Sequence, residues 1–170
     1  PVAHSFPTRR SSDLGEGGHV TIENLTFDGG AAAGHQVGCA LGLQDFLGAR
    51  VAHVTITNTA GDGIFSRWSS EYSHSWINWF VNLDLSVQGY ALRLASSDSY
   101  VDGVHVDGGL GIREERYAGN LYRNCVVENC RSGFSASNML GQALSLAMSD
   151  CSFVSNSVYG VELASGGDFS

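Results

Sequence analysis

The sequence repeats one short pattern about every 20 to 28 residues, and this repeat restricts the possible folds more than any other feature. Each unit has a short run rich in β-branched residues, a polar residue or glycine, a few turn residues, a glycine and a second short apolar run. The segments HVTITNTAGDGIFS and NCVVENCRSGFSAS both show it. The turn glycines that mark the units are Gly38, Gly63, Gly111, Gly133 and Gly160. A regular period of this length is typical of chains that build a solenoid from equivalent coils.

The apolar runs alternate with a period of two residues, as short β-strands with one inward face do. Val54 and Ile56 show this spacing, and so do Leu92 and Leu94. A helical fold is excluded because the chain has no long apolar stripe at the helical period, and glycine is too frequent for helix interiors. The sequence therefore predicts an all-β fold.

Asparagine recurs just after the first strand of a unit, at Asn24, Asn58, Asn129 and Asn156. Asparagine tolerates left-handed backbone and can hydrogen-bond to its own turn. We therefore expect these residues to stack at one corner, where their side-chain amides can also bond from coil to coil.

A fixed period favours a solenoid of parallel strands over a β-sandwich, which has many short strands but needs no constant repeat. The pattern, especially VTIENLTFDGG and VTITNTAGDGIFS, resembles the right-handed parallel β-helix of the pectin/pectate-lyase-like superfamily over nearly all of residues 18–165. The resemblance implies a right-handed, single-stranded parallel β-helix, and the repeat predicts about six coils. It also implies a carbohydrate-active protein, although this fold carries several functions.

The first fourteen residues do not follow the repeat. Residues 4–14, HSFPTRRSSDL, resemble the translation of a common short-read sequencing adapter at all of their positions. We therefore expect residues 1–14 to be a non-native, disordered segment and residues 15–170 to be a β-helix domain fragment. No amphipathic capping segment is recognisable at either end of the repeat, so we expect this solenoid to be truncated at both ends.

The composition excludes several classes of partner. The net charge of the chain is −8, all its cations are arginine, and without residues 1–14 the charge becomes −9. This balance argues against binding to nucleic acid or an anionic membrane surface, and no apolar run is long enough for a transmembrane helix. The four cysteines lack the spacing of a zinc site, and we expect reduced, buried thiols rather than disulfides.

The longest stretch outside the repeat, residues 66–80, is rich in aromatic side chains. Because aromatic faces stack on sugar rings and arginine binds carboxylates with a planar fork, we predict Arg67, Trp68, Tyr72 and Trp76 as substrate-binding residues. The alternative is that the aromatic side chains of this stretch fold inward and cover the side of the solenoid.

A second candidate site is formed by charged residues on neighbouring coils. Arg93 and Arg113 occupy equivalent strand positions, which predicts stacked neighbours that face solvent, with Asp98, Glu114 and Glu115 nearby. We predict Arg93, Asp98 and Glu114 as catalytic residues and Arg113 as a substrate-binding residue. A glycoside hydrolase needs two carboxylates, whereas a lyase of this superfamily often uses an arginine or lysine base with calcium. The alternative is a solvated, self-neutralising turn.

Asp62, in the turn sequence GDG, is a further candidate catalytic carboxylate, although this tripeptide is also ordinary turn chemistry. The ordered motifs of polygalacturonase-like hydrolases are absent, and the calcium cluster of pectate lyases is not recognisable. The sequence predicts no metal site, and calcium is expected only if the protein is a lyase.

Two functions remain open from the sequence. The first is a polysaccharide lyase or glycoside hydrolase that acts on an acidic extracellular polysaccharide. The second is a non-catalytic β-helix of a phage tailspike, adhesin or other surface-binding protein, for which a homotrimer is possible. In both cases we expect a polysaccharide partner and a location outside the cell or on a cell or virion surface.

Overall fold

The computed structural model describes residues 19–67, 77–115, 119–138 and 146–165. The regular secondary structure of the described chain is almost entirely short strands. They are β1 (Thr21–Asp28), β2 (Cys39–Gln44), β3 (Arg50–Thr59), β4 (Asp62–Arg67), β5 (Trp79–Val81), β6 (Asp84–Val87), β7 (Tyr90–Leu94), β8 (Tyr100–Asp102), β9 (His105–Asp107), β10 (Gly111–Glu114), β11 (Asn120–Arg123), β12 (Val126–Glu128), β13 (Ser132–Asn138), β14 (Leu146–Ser149), β15 (Ser152–Val154) and β16 (Tyr159–Ser165). A single 3₁₀ turn, Ala31–Ala33, interrupts them.

All the strand pairs are parallel, and the strands form three stacks. The first stack consists of the first halves of β1 and β3 followed in order by β5, β8, β11 and β14, and the second consists of their second halves followed by β6, β9, β12 and β15. The third stack contains β2, β4, β7, β10, β13 and β16. Each stack thus has six rungs, and the chain makes about five turns between the first rung and the last. The predicted all-β parallel solenoid is confirmed.

The core consists of three columns of inward side chains, one from each stack. Register places equivalent residues of successive coils directly above one another, so apolar side chains meet apolar side chains along the axis. The columns are Ile22, Val51, Phe80, Val101, Tyr122 and Met148; Phe27, Ile56, Leu85, Val106, Val127 and Phe153; and Leu41, Ile64, Leu92, Ile112, Phe134 and Val161. All the members from the four inner coils are buried.

The corner between the first and second stacks is made by one left-handed residue in each coil. The residues at this corner are Asn24, His53, Asn82, Gly103, Asn124 and Asp150. Asparagine, aspartate and glycine dominate because they adopt positive φ at the least cost. The left-handed backbone predicted for Asn24 is therefore confirmed.

The predicted asparagines do not share a single corner. Asn58 and Asn129 are left-handed as expected, but they follow the second stack, whereas Asn24 precedes it. Their amides do bond between coils, since Asn58 donates to Asp28 and Asn129 donates to Asp107, each at 2.8 Å. The expectation of one common corner was wrong because a coil has more than one turn that favours asparagine.

The four cysteines are free thiols in the structure. Cys125 and Cys151 lie on neighbouring rungs, because the residues that follow them, Val126 and Ser152, are paired. Burial is the main reason that the pKa of Cys125 is raised to about 12. No helix in the described part of the chain is long and apolar enough to cross a membrane.

Glycine is required where the backbone of one coil lies against the next. A Cβ atom on Gly63 would lie 2.5 Å from the carbonyl oxygen of Ala91 on the following coil, whereas a Cβ on Gly42 would meet nothing within 4 Å. Gly42 and Gly63 lie on neighbouring strands of the third stack. They are therefore a matched pair of positions at which to test the effect of an added methyl group.

We expect Gly63→Ala to lower the free energy of unfolding by about 1 to 3 kcal/mol, because two backbones must separate to admit the methyl group. Gly42→Ala should be neutral or stabilising by up to about 1 kcal/mol, since alanine loses less entropy in a strand. Urea denaturation of the full chain measures both. Equal effects of the two substitutions would contradict the close-contact explanation.

Candidate functional site

The outer face of the third stack carries the polar residues that the strand alternation turns away from the core. The outward column at one strand position consists of Gly42, Phe65, Arg93, Arg113, Ser135 and Glu162. The residue before each in the inner coils is an inward apolar residue, such as Leu92 before Arg93. The prediction that Arg93 and Arg113 are stacked neighbours on the outer face is confirmed.

Arg93 is held by an aromatic ring and two carboxylates. Its guanidinium lies 4.5 Å from the centre of the Phe65 ring. One terminal nitrogen is 3.3 Å from Asp62, and the other is 2.7 Å from Glu115. Although partial burial acts to lower it, these hydrogen bonds and charges raise the pKa of Arg93 above its ordinary value. Arg93 is therefore a firmly protonated group between two carboxylates.

Arg113, one coil further on, has weaker restraints. Its Nε donates to Glu115 at 3.2 Å, and its terminal nitrogens donate to the Tyr90 hydroxyl at 3.0 Å and to Ser137 at 3.3 Å. The guanidinium also lies 5.3 Å from the centre of the Tyr90 ring. Because arginine has five N–H donors, Arg113 retains donors for a ligand.

A groove continues from Arg113 towards the last coil. Its volume is about 300 Å³, and it is lined by Tyr90, Leu110, Arg113, Arg131, Ser132, Ser135, Val158, Tyr159 and Glu162. Its walls combine two tyrosines, two arginines, one carboxylate and small hydroxyl side chains. This mixture of aromatic and polar groups is suited to a small polar ligand such as a sugar residue.

Asp62 and Arg67 lie at the same face as the arginine pair. Asp62 contacts Arg93 and also accepts a hydrogen bond from the backbone N–H of Tyr90 at 2.9 Å. Arg67 is exposed, donates to Gln44 at 3.1 Å and lies 5.4 Å from the centre of the Phe65 ring. Their catalytic and substrate-binding roles stay predictions, but the structure places both beside the candidate site.

The expectation that Glu114 lies beside the arginines on this face is wrong. Glu114 is paired with Leu94 and Ala136 in an inward column and is fully buried. The Tyr122 hydroxyl donates to Oε2 at 2.8 Å, whereas Oε1 has no hydrogen-bond partner among the described residues. Because adjacent residues of a strand face opposite sides, the next residue, Glu115, is the one that reaches the outer face.

Asp98 also lies apart from the arginines. It occupies an exposed, left-handed position at the corner that leads to the first stack, and no hydrogen bond or ion pair of the described residues joins it to Arg93 or Arg113. A Cβ atom added to Gly119 would collide with the Asp98 carboxylate. The expectation that it would lie near the arginine pair is therefore not met.

The predicted binding residues Trp68, Tyr72 and Trp76 lie outside the described residues. The aromatic stretch is described again at Trp79 and Phe80, which differ in orientation. Trp79 lies on the outer face of the first stack and is 37% exposed, whereas Phe80 is fully buried in the core. The inward alternative therefore holds for Phe80 and not for Trp79.

Sequence reasoning missed Phe65, Tyr90, Arg131 and Glu162 as site residues. Phe65 and Glu162 occupy the same register position as Arg93, so a full alignment of the coils would have found them. Tyr90 is the first residue of β7 and Arg131 immediately precedes β13, where the irregular repeat length obscures the register. No group of three or more potential metal ligands is present among the described residues.

A separate polar cluster lies on the outer face of the second stack. His105 contacts Asp84 at 3.0 Å through Nδ1 and Glu128 at 3.2 Å through Nε2. The hydrogen bond to Glu128, with that to Asp84, raises the pKa of His105 despite partial burial. Since both ring nitrogens face carboxylates, the doubly protonated ring satisfies both contacts and links three successive coils.

Comparison with known proteins agrees with this architecture. The chain matches the family model described as "Right handed beta helix region" over residues 13–170, and it belongs to that family. Searches of the curated proteins and of the solved structures gave no match. The family defines a right-handed β-helix and leaves the function to be argued from the site.

The buried Glu114 carboxyl predicts a specific pH dependence of stability. Burial raises its pKa from 4.5 to about 7, against the smaller opposing effect of the Tyr122 hydrogen bond. The folded state therefore binds the proton more tightly than the unfolded state does. The stabilising contribution of the protonated Glu114 carboxyl is complete below about pH 4.5. It is lost as the pH rises through 7, and it changes little above that value.

We expect Glu114→Gln to remove this loss, so that the mutant gains stability relative to the wild type by about 3 kcal/mol between pH 4.5 and pH 8. Urea denaturation at a series of pH values measures the difference. Glu162→Gln, on the outer face of the same stack, is the control and should retain the wild-type profile. A pH-independent difference between Glu114→Gln and the wild type would contradict the assignment.

Proposed function

We propose that this protein binds an acidic polysaccharide along the outer face of the third stack. The observation that carries the proposal is the register column in which Phe65, Arg93 and Arg113 follow one another on consecutive coils. Neighbouring strands are spaced by about 4.8 Å, so the column places the guanidinium groups of Arg93 and Arg113 one step apart along the axis, with Phe65 packed beneath Arg93. A polymer of acidic sugars has matching groups at regular steps.

The distribution of charge supports an anionic ligand at this face. The chain as a whole is acidic, with nine basic and seventeen acidic residues. Of its arginines, Arg67, Arg93, Arg113 and Arg131 all lie on or beside the third stack. Guanidinium groups bind carboxylates in a planar, bidentate manner, which gives orientation as well as attraction.

A second candidate function, cleavage of the bound polymer by hydrolysis, is favoured by the two carboxylates at Arg93. Asp62 and Glu115 contact different nitrogens of the same guanidinium, which holds them close together. A glycoside hydrolase requires such a pair, one as acid and one as base or nucleophile. Elimination with Arg93 as the base is less well supported, because the same two ion pairs hold its proton.

The non-catalytic alternative uses the same face for adhesion alone, as in a tailspike or adhesin. Acidic polysaccharides are mainly extracellular, so in either case we propose that the protein acts outside the cell or at a cell or virion surface. A tailspike-like protein is also expected to form a homotrimer, which sedimentation of the full chain would reveal.

To test binding, we expect the full chain to bind polygalacturonate or alginate oligosaccharides more tightly than neutral galactose oligosaccharides in isothermal titration calorimetry. Arg113→Gln should weaken binding of the acidic oligosaccharides by about tenfold, since a charge-assisted hydrogen bond is lost. Arg50→Gln removes an arginine from the first stack and should have little effect. Equal affinity for acidic and neutral oligosaccharides would refute the proposal.

To test cleavage, we expect Asp62→Asn and Glu115→Gln each to lower the rate of reducing-end release by about 100-fold or more, while oligosaccharide binding persists. Asp84→Asn, on the second stack, is the control. Formation of an unsaturated product, detected by ultraviolet absorbance, would indicate elimination instead. Binding without any cleavage across the acidic polymers would favour the adhesive alternative.

A further inference from the structure

Two charged residues in the groove of the third stack have no partner among the described residues. They are Arg131 and Glu162, which line the same groove and form no ion pair with each other or with any other described residue. Neither side chain donates or accepts a hydrogen bond in the described part of the chain. Two opposite charges that share a groove without pairing leave space and unused bonding capacity between them.

We propose that Arg131 and Glu162 select the sugar residue that occupies this groove. Arg131 binds the carboxylate of an acidic sugar, and Glu162 accepts hydrogen bonds from hydroxyl groups of the same sugar. The inference rests on the proposed binding of an acidic polysaccharide and assigns the recognition of charge and of hydroxyl configuration to separate residues.

Arg131 is better suited to the carboxylate than the two arginines of the column are. Arg93 is neutralised by Asp62 and Glu115, and Arg113 already uses each of its three nitrogens in one hydrogen bond. Arg131 is exposed and keeps its full set of donors. An arginine without internal partners can offer a ligand the bidentate geometry that carboxylates prefer.

Glu162 accounts for selectivity rather than affinity. A carboxylate near the bound anion repels it and so lowers the affinity for every acidic sugar. The same carboxylate is a strong acceptor for hydroxyl donors, and a sugar whose hydroxyl points elsewhere leaves it unsatisfied. Its position one coil beyond Ser135 and in line with Arg113 places it at the far wall of the groove.

The size and the other walls of the groove fit one sugar residue. Its volume of about 300 Å³ lies at the lower end of the range for small-ligand sites. Tyr90 and Tyr159 supply aromatic surface at the first and last coils of the groove, and Tyr159 is 48% exposed. The ring and hydroxyl of Tyr90 already contact Arg113, so Tyr159 is the ring that can stack on the apolar face of a sugar while its hydroxyl forms hydrogen bonds.

Calorimetric titration of the full chain with oligomers of galacturonate, mannuronate and guluronate, and with the neutral galactose oligomer, tests the proposal. Arg131→Gln should weaken binding of the acidic oligomers by about tenfold, leave the neutral oligomer unchanged and reduce the salt dependence of affinity. Glu162→Gln should act in the opposite direction on affinity. It should tighten binding of all the acidic oligomers and bring their affinities closer together.

Arg123→Gln is the matched control, because Arg123 is an exposed arginine on the first stack. If Arg131→Gln and Arg123→Gln have equal effects, long-range attraction explains the preference and the proposed recognition by Arg131 is overturned. If Glu162→Gln leaves the ratios among the uronate oligomers unchanged, its selective role is overturned. Failure of the wild type to bind any acidic oligomer would instead refute the proposed function itself.

Discussion

The parallel pairing of each coil with the next is the constraint on which the rest of this structure depends. Because every rung hydrogen-bonds to its neighbours at a spacing of about 4.8 Å, a residue can face only the equivalent residue of the next coil. An inward apolar residue such as Ile56 must therefore meet another, Leu85, and the backbone at Gly63 must lie directly against Ala91. The repeat in the sequence is the consequence of this stacking.

The same constraint governs the polar residues, inside as well as outside. At the corner before the first stack, the side chain of Asn78 accepts a hydrogen bond from the backbone of Ala49, and that of Asn120 accepts one from Ser99. These buried side-chain amides accept hydrogen bonds from backbone N–H groups that the turn leaves without a backbone partner. On the outer face, stacking brings Arg93 between Asp62 and Glu115, which lie on the coils before and after it.

Period and alternation predicted the fold and the neighbouring positions of Arg93 and Arg113, because both properties follow directly from register. The same alternation, counted from the outward Arg113, also places Glu114 inward and Glu115 outward, and the expectation that Glu114 lies beside the arginines overlooked it. β10 contains a register shift between Gly111 and Ile112, and a shift of one residue reverses every side chain, so the pairing before Ile112 does not follow from the period alone. The asparagine corners were also merged in the sequence reading, since two different turns of a coil require the same left-handed backbone.

On the outer face of the third stack, some charged side chains are paired and others are not. This distribution indicates which part of the face binds a ligand, which the fold alone does not. Arg93 and Arg113 each contact carboxylates, an aromatic ring or hydroxyl groups. These contacts fix both side chains in place and leave little of their charge unpaired. Arg131 and Glu162 have no ion pair among the described residues and keep their bonding capacity within a groove. A charge that is already paired must break or share its contacts to bind a new ligand, whereas an unpaired charge gives up only its water. Recognition is therefore expected in the groove that Arg131 and Glu162 share, and the paired groups supply the rigid surface beside it.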